Sequence, residues 1–247
     1  MNYLGGTGFV GSSVISSLRE KGFDVVSISR RGKIYEKSGE NDGVTWLSAD
    51  ATNTKEIEKI VSTYGPFYAC VHSIGLLLDS ESGLSSLNKF VSGSSSIPSN
   101  DAKYDLITRK TAFNAIDSIK NYSNDSKRRV PFVFISAAEA GWTLKAPVPW
   151  LEKYLIAKRQ VEAYLLSNND FFRPVIMRPS LIWSPSRPQA LVSVVPFYVG
   201  SALGLPFVDR PVILENLVKA CVNSIIDDKI EGINRYEEIE KISALKR

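Results

Sequence analysis

Only one histidine, His72, and two cysteines, Cys70 and Cys221, occur among the 247 residues. Two thiols build neither a disulfide framework nor a metal-ligand cluster. A single imidazole removes most zinc-site and Ser-His-Asp chemistry from consideration. Charge of one sign is also scarce. Thirty Lys and Arg against 26 Asp and Glu leave +4, too small an excess to argue for nucleic-acid binding, and no nucleic-acid partner is expected. With 44% hydrophobic and 23% charged residues, the composition excludes a disordered or collagen-like chain. The length suits one α/β domain. Little precedes the first motif. Only Met1, Asn2, Tyr3 and Leu4 stand before a glycine run, where a strand usually takes about five or six residues. The expectation is a clipped first strand, and no targeting segment is visible in this chain.

What is present alternates short β-rich runs with longer helical stretches, the pattern of βαβ units and a parallel sheet. Expected strands are Asn2–Leu4, Asp24–Ser29, Val44–Ser48, Tyr68–Ser73, Val130–Ser136 and Val175–Pro179. Expected helices are Phe9–Lys21, Lys55–Tyr64, Tyr104–Tyr122 and Pro149–Ser167. Uninterrupted apolar strands such as Phe132-Val133-Phe134-Ile135 suit a sheet covered on both faces. The fold class is therefore α/β, a Rossmann-like doubly wound parallel sheet. A Ser- and Gly-rich stretch from Asp79 to Asp101 reads as a long loop. The chain reads as a single domain over 1–247, with a dinucleotide-binding core to residue 180 and a substrate-facing C-terminal region over 181–247.

The segment Gly5-Gly6-Thr7-Gly8-Phe9-Val10-Gly11 carries the most information. Gly6, Gly8 and Gly11 satisfy G-x-G-x-x-G, and Gly5 precedes them. Such glycines permit a tight turn and close backbone approach to a pyrophosphate, which then sits at a helix N-terminus. The motif alone is weak, since glycine loops also make ordinary turns. Its context, after an apolar pair and before an amphipathic helix, favours a dinucleotide. An NAD site usually places Asp or Glu at the end of the second strand to accept from the ribose 2′-hydroxyl. Here Ser29 is followed by Arg30-Arg31-Gly32. Two guanidiniums suit a 2′-phosphate, so NADP(H) is the expected cofactor. A solvated basic turn is the plainer alternative.

Tyr154 and Lys158 stand at i and i+4 in an expected helix, which puts them on one face within reach of a common ligand. The spacing proves nothing by itself. Its position, between the strand ending at Ser136 and the strand ending in Arg178-Pro179-Ser180, carries the weight. His72 follows an apolar strand near the expected cofactor site; it either contacts ligand or satisfies local backbone groups. Cys70 reads as a small buried hydrophobe.

Taken together, the glycine run, Asp50-Ala51-Thr52, His72-Ser73-Ile74-Gly75, Tyr154 with Lys158, and Arg178-Pro179-Ser180 resemble the short-chain dehydrogenase/reductase superfamily, in its extended and atypical branch. Finer details are the run Val71 to Leu78, Ile135-Ser136-Ala137, Lys158 to Glu162, Glu231-Gly232, and Glu237-Glu238-Ile239. These are similar to the fungal mitochondrial branch associated with coenzyme Q biosynthesis, whose relatives include the nucleotide-binding accessory subunit of respiratory complex I. The resemblance implies Tyr154 as general acid or base, with Lys158 holding the nicotinamide ribose and lowering the tyrosine's pKa. It implies cofactor contacts from Gly5, Gly6, Thr7, Gly8, Phe9, Val10, Gly11, Arg30, Arg31, Asp50, Ala51, Ser73, Ile74, Gly75, Ser136, Lys158 and Pro179. No metal site is implied. A location on the matrix side of the mitochondrial inner membrane follows from the resemblance alone.

One departure matters. The superfamily expects a Ser or Thr two residues after Ser136 to bind the substrate oxygen, but Ala137 and Ala138 follow. Losing one such donor costs about a hundredfold or more in rate. Thr108 likewise stands where many relatives carry asparagine. Two readings remain open: an NADP(H)-dependent oxidoreductase acting on a quinone precursor or other apolar small molecule, and a catalytically silent nucleotide-binding subunit of a coenzyme Q biosynthetic complex. The stretch from Ala190 to Val208 contains no charged residue, and it is broken by Pro196, Gly200, Gly204 and Pro206. It reads as an apolar wall beside the nicotinamide or a peripheral membrane contact; core helices are the alternative.

Overall fold

A computed structural model describes residues 2–32, 43–75, 105–122, 128–186, 199 and 209–246, with the backbone alone for residues 2–4. The 79–101 stretch and, apart from Val199, the uncharged 190–208 run lie outside the described residues.

Seven strands form one parallel sheet in the order β3-β2-β1-β4-β5-β6-β9. They are β1 (Asn2–Leu4), β2 (Val25–Ser29), β3 (Val44–Ser48), β4 (Cys70–His72), β5 (Val130–Ile135), β6 (Phe172–Met177) and β9 (Gly232–Asn234). Two short strands, β7 (Ile182–Trp183) and β8 (Val212–Ile213), pair with each other in a separate ladder. The strand order reverses between β1 and β4, which opens a crevice at their carboxyl ends. This is the doubly wound sheet that the sequence pattern predicts.

Alternation within the strands sends side chains to two cores. Val130, Phe132 and Phe134 of β5 join Phe172 and Ile176 of β6 on one face, under α2 (Thr54–Tyr64), α3 (Thr111–Tyr122) and α4 (Pro149–Ser167). Val133, Ile135, Val175 and Met177 join the other, under α1 (Phe9–Glu20), α5 (Leu214–Ile226) and α6 (Tyr236–Ser243). Both faces are covered, so every residue of β5 and β6 is buried. Truncating one of these phenylalanines to alanine costs about 3–5 kcal/mol.

Beyond shifts of one or two residues at element ends, three features differ from expectation. The β6 strand begins at Phe172, not Val175, so that Arg173 and Pro174 lie within it and pair with Pro131 and Phe132 of β5. Arg173 is 2% exposed; its guanidinium donates to the Ser224 carbonyl in the last turn of α5 and to the Ile230 carbonyl beyond it. The expected helix from Tyr104 divides into a π-helical turn over Asp105–Lys110 and α3. At that junction the Thr111 hydroxyl donates to the Ile107 carbonyl, competing with the regular ladder. Finally, residues 212–243, grouped by sequence with a substrate-facing region, supply the seventh strand and two helices of the sheet's covering layer.

Candidate active site and nucleotide cleft

The glycine turn links β1 to α1. Gly5 adopts φ +94° and its amide donates to the Ile28 carbonyl of β2 at 3.0 Å. A Cβ on Gly11 would fall 2.1 Å from the Gly5 carbonyl oxygen, so the first helical turn packs directly on the turn backbone. Gly8 caps α1 in extended conformation without any side-chain cap, and the first turn holds no acidic residue. The first amides of a helix lack intrahelical partners, and the first turn of α1 itself offers no carboxylate to compete for them. This is a cradle for a pyrophosphate, and the residues present fit a dinucleotide.

Arg30 and Arg31 leave the end of β2 exposed. The Arg31 guanidinium reaches back to the Thr7 carbonyl at 3.4 Å, which brings Arg31 over the glycine turn. Beyond β3, Asp50 is exposed and its carboxylate accepts from both the amide and hydroxyl of Thr52 at 2.9 Å. Ala51 is buried, and its carbonyl accepts from Asn114 of α3 at 2.9 Å. Asn114, absent from the sequence reading, thus anchors this turn.

After β4 the chain runs through Ser73, Ile74 and Gly75. A Cβ on Gly5 would meet Ser73 Oγ at 2.8 Å, and one on Gly75 would lie 3.4 Å from Lys158 Nζ. The glycine turn, the β4 end and the α4 lysine therefore share one crevice. His72 is fully buried, with Nε2 3.0 Å from Thr111 Oγ1 and its ring 5.7 Å from that of Phe134. Desolvation, helped by the charge of Lys158, pushes its pKa down to about 3, so the imidazole is neutral. Thr108 is buried in the π-helical turn, and its hydroxyl has no hydrogen-bond partner among the described residues.

On α4, Tyr154 and Lys158 are both buried and share a face, with Nζ 5.7 Å from the tyrosine ring centre. Lys158 Nζ donates to the Ile135 carbonyl at 2.7 Å and lies 4.8 Å from the Phe134 ring centre. Burial lowers its pKa to about 8, while Glu162 pulls the other way. The Ser136 hydroxyl donates to Glu162 at 2.5 Å. Arg178, at the end of β6, clasps the same carboxylate through Nε at 2.9 Å and Nη2 at 2.5 Å. Glu162 was not singled out as a site residue in the sequence. Its signal was available: it continues the Tyr154–Lys158 face by another four residues.

Ala137 and Ala138 are buried where a substrate-binding hydroxyl was looked for. Ala138 donates its amide to the Pro179 carbonyl at 2.9 Å, fastening the ends of β5 and β6 together. The next residue, Glu139, has its carboxyl pKa raised by burial and by nearby Asp209, with Ser180 Oγ at 3.5 Å. The following segment is strapped to α4. Arg159 donates to the carbonyls of Ala140 and Trp142, each at 3.1 Å, and Glu152 accepts from the Ala146 amide at 2.6 Å. Among the described residues no group of three or more His, Cys, Asp or Glu forms a metal site, and no helix is long and apolar enough to cross a membrane.

A parallel β3-β2-β1-β4-β5-β6-β9 sheet, a glycine cradle at its switch point, and a Tyr–Lys face on the helix after β5 define a nucleotide-binding fold of the Rossmann type. The model of the NAD(P)H-binding family matches residues 5–185, and the chain belongs to that family. MIOREX complex component 2 of Saccharomyces cerevisiae is 25% identical over 210 residues, covering 74% of this chain and 73% of that protein. An uncharacterized chloroplastic protein of Arabidopsis thaliana is 26% identical over 264 residues, covering 99% and 77%. Among solved structures, a Bacillus anthracis short chain dehydrogenase superposes with TM-score 0.65 at 15% identity, covering 97% of this chain and 96% of that one. Yeast methylglyoxal/isovaleraldehyde reductase complexed with NADPH gives 0.63 at 16% identity, covering 95% and 77%. The UDP-glucose 4-epimerase of Thermus thermophilus with NAD gives 0.60 at 17%, covering 99% and 82%.

Proposed function

We propose that the chain is an NADP(H)-dependent oxidoreductase that reduces or oxidises a quinone precursor in coenzyme Q biosynthesis. The observation that carries this reading is the buried Tyr154–Lys158 face opening onto the same crevice as the glycine turn. A helix that merely covers a sheet has no need of a buried lysine. When bound, the nicotinamide supplies or accepts the hydride. Tyr154 gives or takes the matching proton at the substrate oxygen. Lys158, as a cation, holds the ribose and stabilises the phenolate. Arg30 and Arg31 favour the 2′-phosphate, and Asp50, Ala51, Ser73, Ile74, Gly75, Ser136 and Pro179 line the remaining cofactor path. The coenzyme Q assignment and the mitochondrial location rest on the sequence resemblance.

Two observations favour a second reading, a nucleotide-binding subunit that stabilises a biosynthetic complex without turnover. Alanines stand at 137 and 138, and one relative is itself a complex component. Substrate profiling with NADPH, run beside Tyr154→Phe, separates the two. The oxidoreductase reading expects Tyr154→Phe to abolish turnover while cofactor affinity stays nearly intact. If Tyr154→Phe restores quinone synthesis fully in a deficient fungus, the catalytic reading is wrong and the scaffold reading replaces it.

A further inference from the structure

Lys158 occupies a costly position. The residue is 3% exposed, and its ammonium faces an aromatic ring and donates to the carbonyl of Ile135. Burial of this kind drives a lysine toward its neutral form. The titratable and charged groups that face it, among the described residues, come from three elements. His72 of β4 is uncharged above about pH 3. Tyr154 and Glu162 stand one turn to either side on α4. Arg178 reaches the Glu162 carboxylate from the end of β6.

Glu162 is itself 4% exposed and fully engaged, with Arg178 gripping both oxygens and Ser136 donating to one of them. Ser136 directly follows Ile135, whose carbonyl holds Lys158. One carboxylate thus ties together the end of β5, the end of β6 and α4 at the point where the lysine hangs. We propose that Glu162 is a positioning residue of the cofactor site: it fixes the strand end that anchors Lys158 and keeps the lysine in its charged form. It touches neither cofactor nor substrate. Arg178 is needed because an unpaired carboxylate could not be kept ionised at that depth.

This inference rests on the reading that charged Lys158 holds the nicotinamide ribose, and the test separates the two. NADPH affinity is measured by fluorescence titration from pH 6.5 to 9.5. The native protein is expected to lose affinity as pH rises through about 8, the pKa of Lys158. Glu162→Gln should move that midpoint down by about one pH unit, and Glu162→Asp should restore most of it. Because Glu162→Gln leaves Arg178 unpaired, the double variant Glu162→Gln/Arg178→Gln removes both charges together; it is expected to fold, with a midpoint between those of the native protein and Glu162→Gln. Lys158→Met should abolish the pH dependence altogether. A midpoint unmoved in the folded Glu162 variants, with Lys158→Met still losing affinity, overturns the role of Glu162 alone. An unchanged affinity and profile in Lys158→Met overturns both.

Discussion

The two halves of the nucleotide crevice are built from different materials. On the β1–β2 side the work is done by backbone: a positive-φ glycine, a helix packed onto a carbonyl, and two arginines left in solvent. On the β5–β6 side it is done by buried side chains: Lys158, Glu162, Ser136 and most of Arg178 are withdrawn from water and must satisfy one another. The contrast follows from what each half handles. A pyrophosphate is held by amides and needs only room and an uncapped helix end. A proton-transfer pair needs its pKa values set, and that requires charges held at low dielectric.

The comparison can be broken from either side. Arg178→Met leaves Glu162 buried without its cation, and is expected to destabilise the protein by about 3–5 kcal/mol. In a chain of this size that is a fall in Tm of about 6–20 °C, read by calorimetry. A loss no larger than that of an exposed arginine would show that buried charge does not hold this half together. Gly11→Ala sets a Cβ against the Gly5 carbonyl and should cost about 1–3 kcal/mol. Its sharper effect is on binding, where NADPH affinity should collapse even in the folded fraction; unchanged affinity would refute the cradle. The paired change Arg30→Ala and Arg31→Ala should alter stability by less than about 0.5 kcal/mol. Calorimetric titration should show NADPH weakened about ten- to hundredfold, with NADH little affected. Equal affinities for the two cofactors in the native protein would remove the NADP(H) preference.

At neutral pH the smallest effect is at His72. Its folded pKa of about 3 lies below the ordinary value of 6.5, so the unfolded chain binds the extra proton first. The contribution of His72 to stability is therefore fully present above about pH 6.5 and is lost as pH falls toward 3. Because it is the single histidine, its proton NMR signals need no assignment. They should not titrate between pH 7 and 5 in the folded protein. A midpoint near 6.5 would place the ring in contact with water.

The backbone half was legible in the sequence because glycine is legible. Gly5 to Gly11 state their spacing outright, and the arginines after β2 need only the position of a strand end. Alternation and apolar runs located six strands of the sheet, including the buried β5, because both periodicity and burial are local properties of the chain. The Pro149–Ser167 helix matches to the residue, starting as it does with proline at its first position.

The partnered half was not legible in the same way. Nothing near Glu162 in the sequence indicates that Arg178, sixteen residues on and in another element, will clasp it. Nor does anything near Arg173 in the sequence indicate that carbonyls in and beyond the last turn of α5 will receive its guanidinium. The short β9 strand and the return of α5 and α6 to the sheet depend on which edge remains open once β6 is in place. By itself the sequence determined a doubly wound nucleotide fold, the glycine turn and the Tyr–Lys face. The tertiary structure alone decided which charges are buried together, because a charge enters a protein interior only where a partner from elsewhere in the chain meets it there.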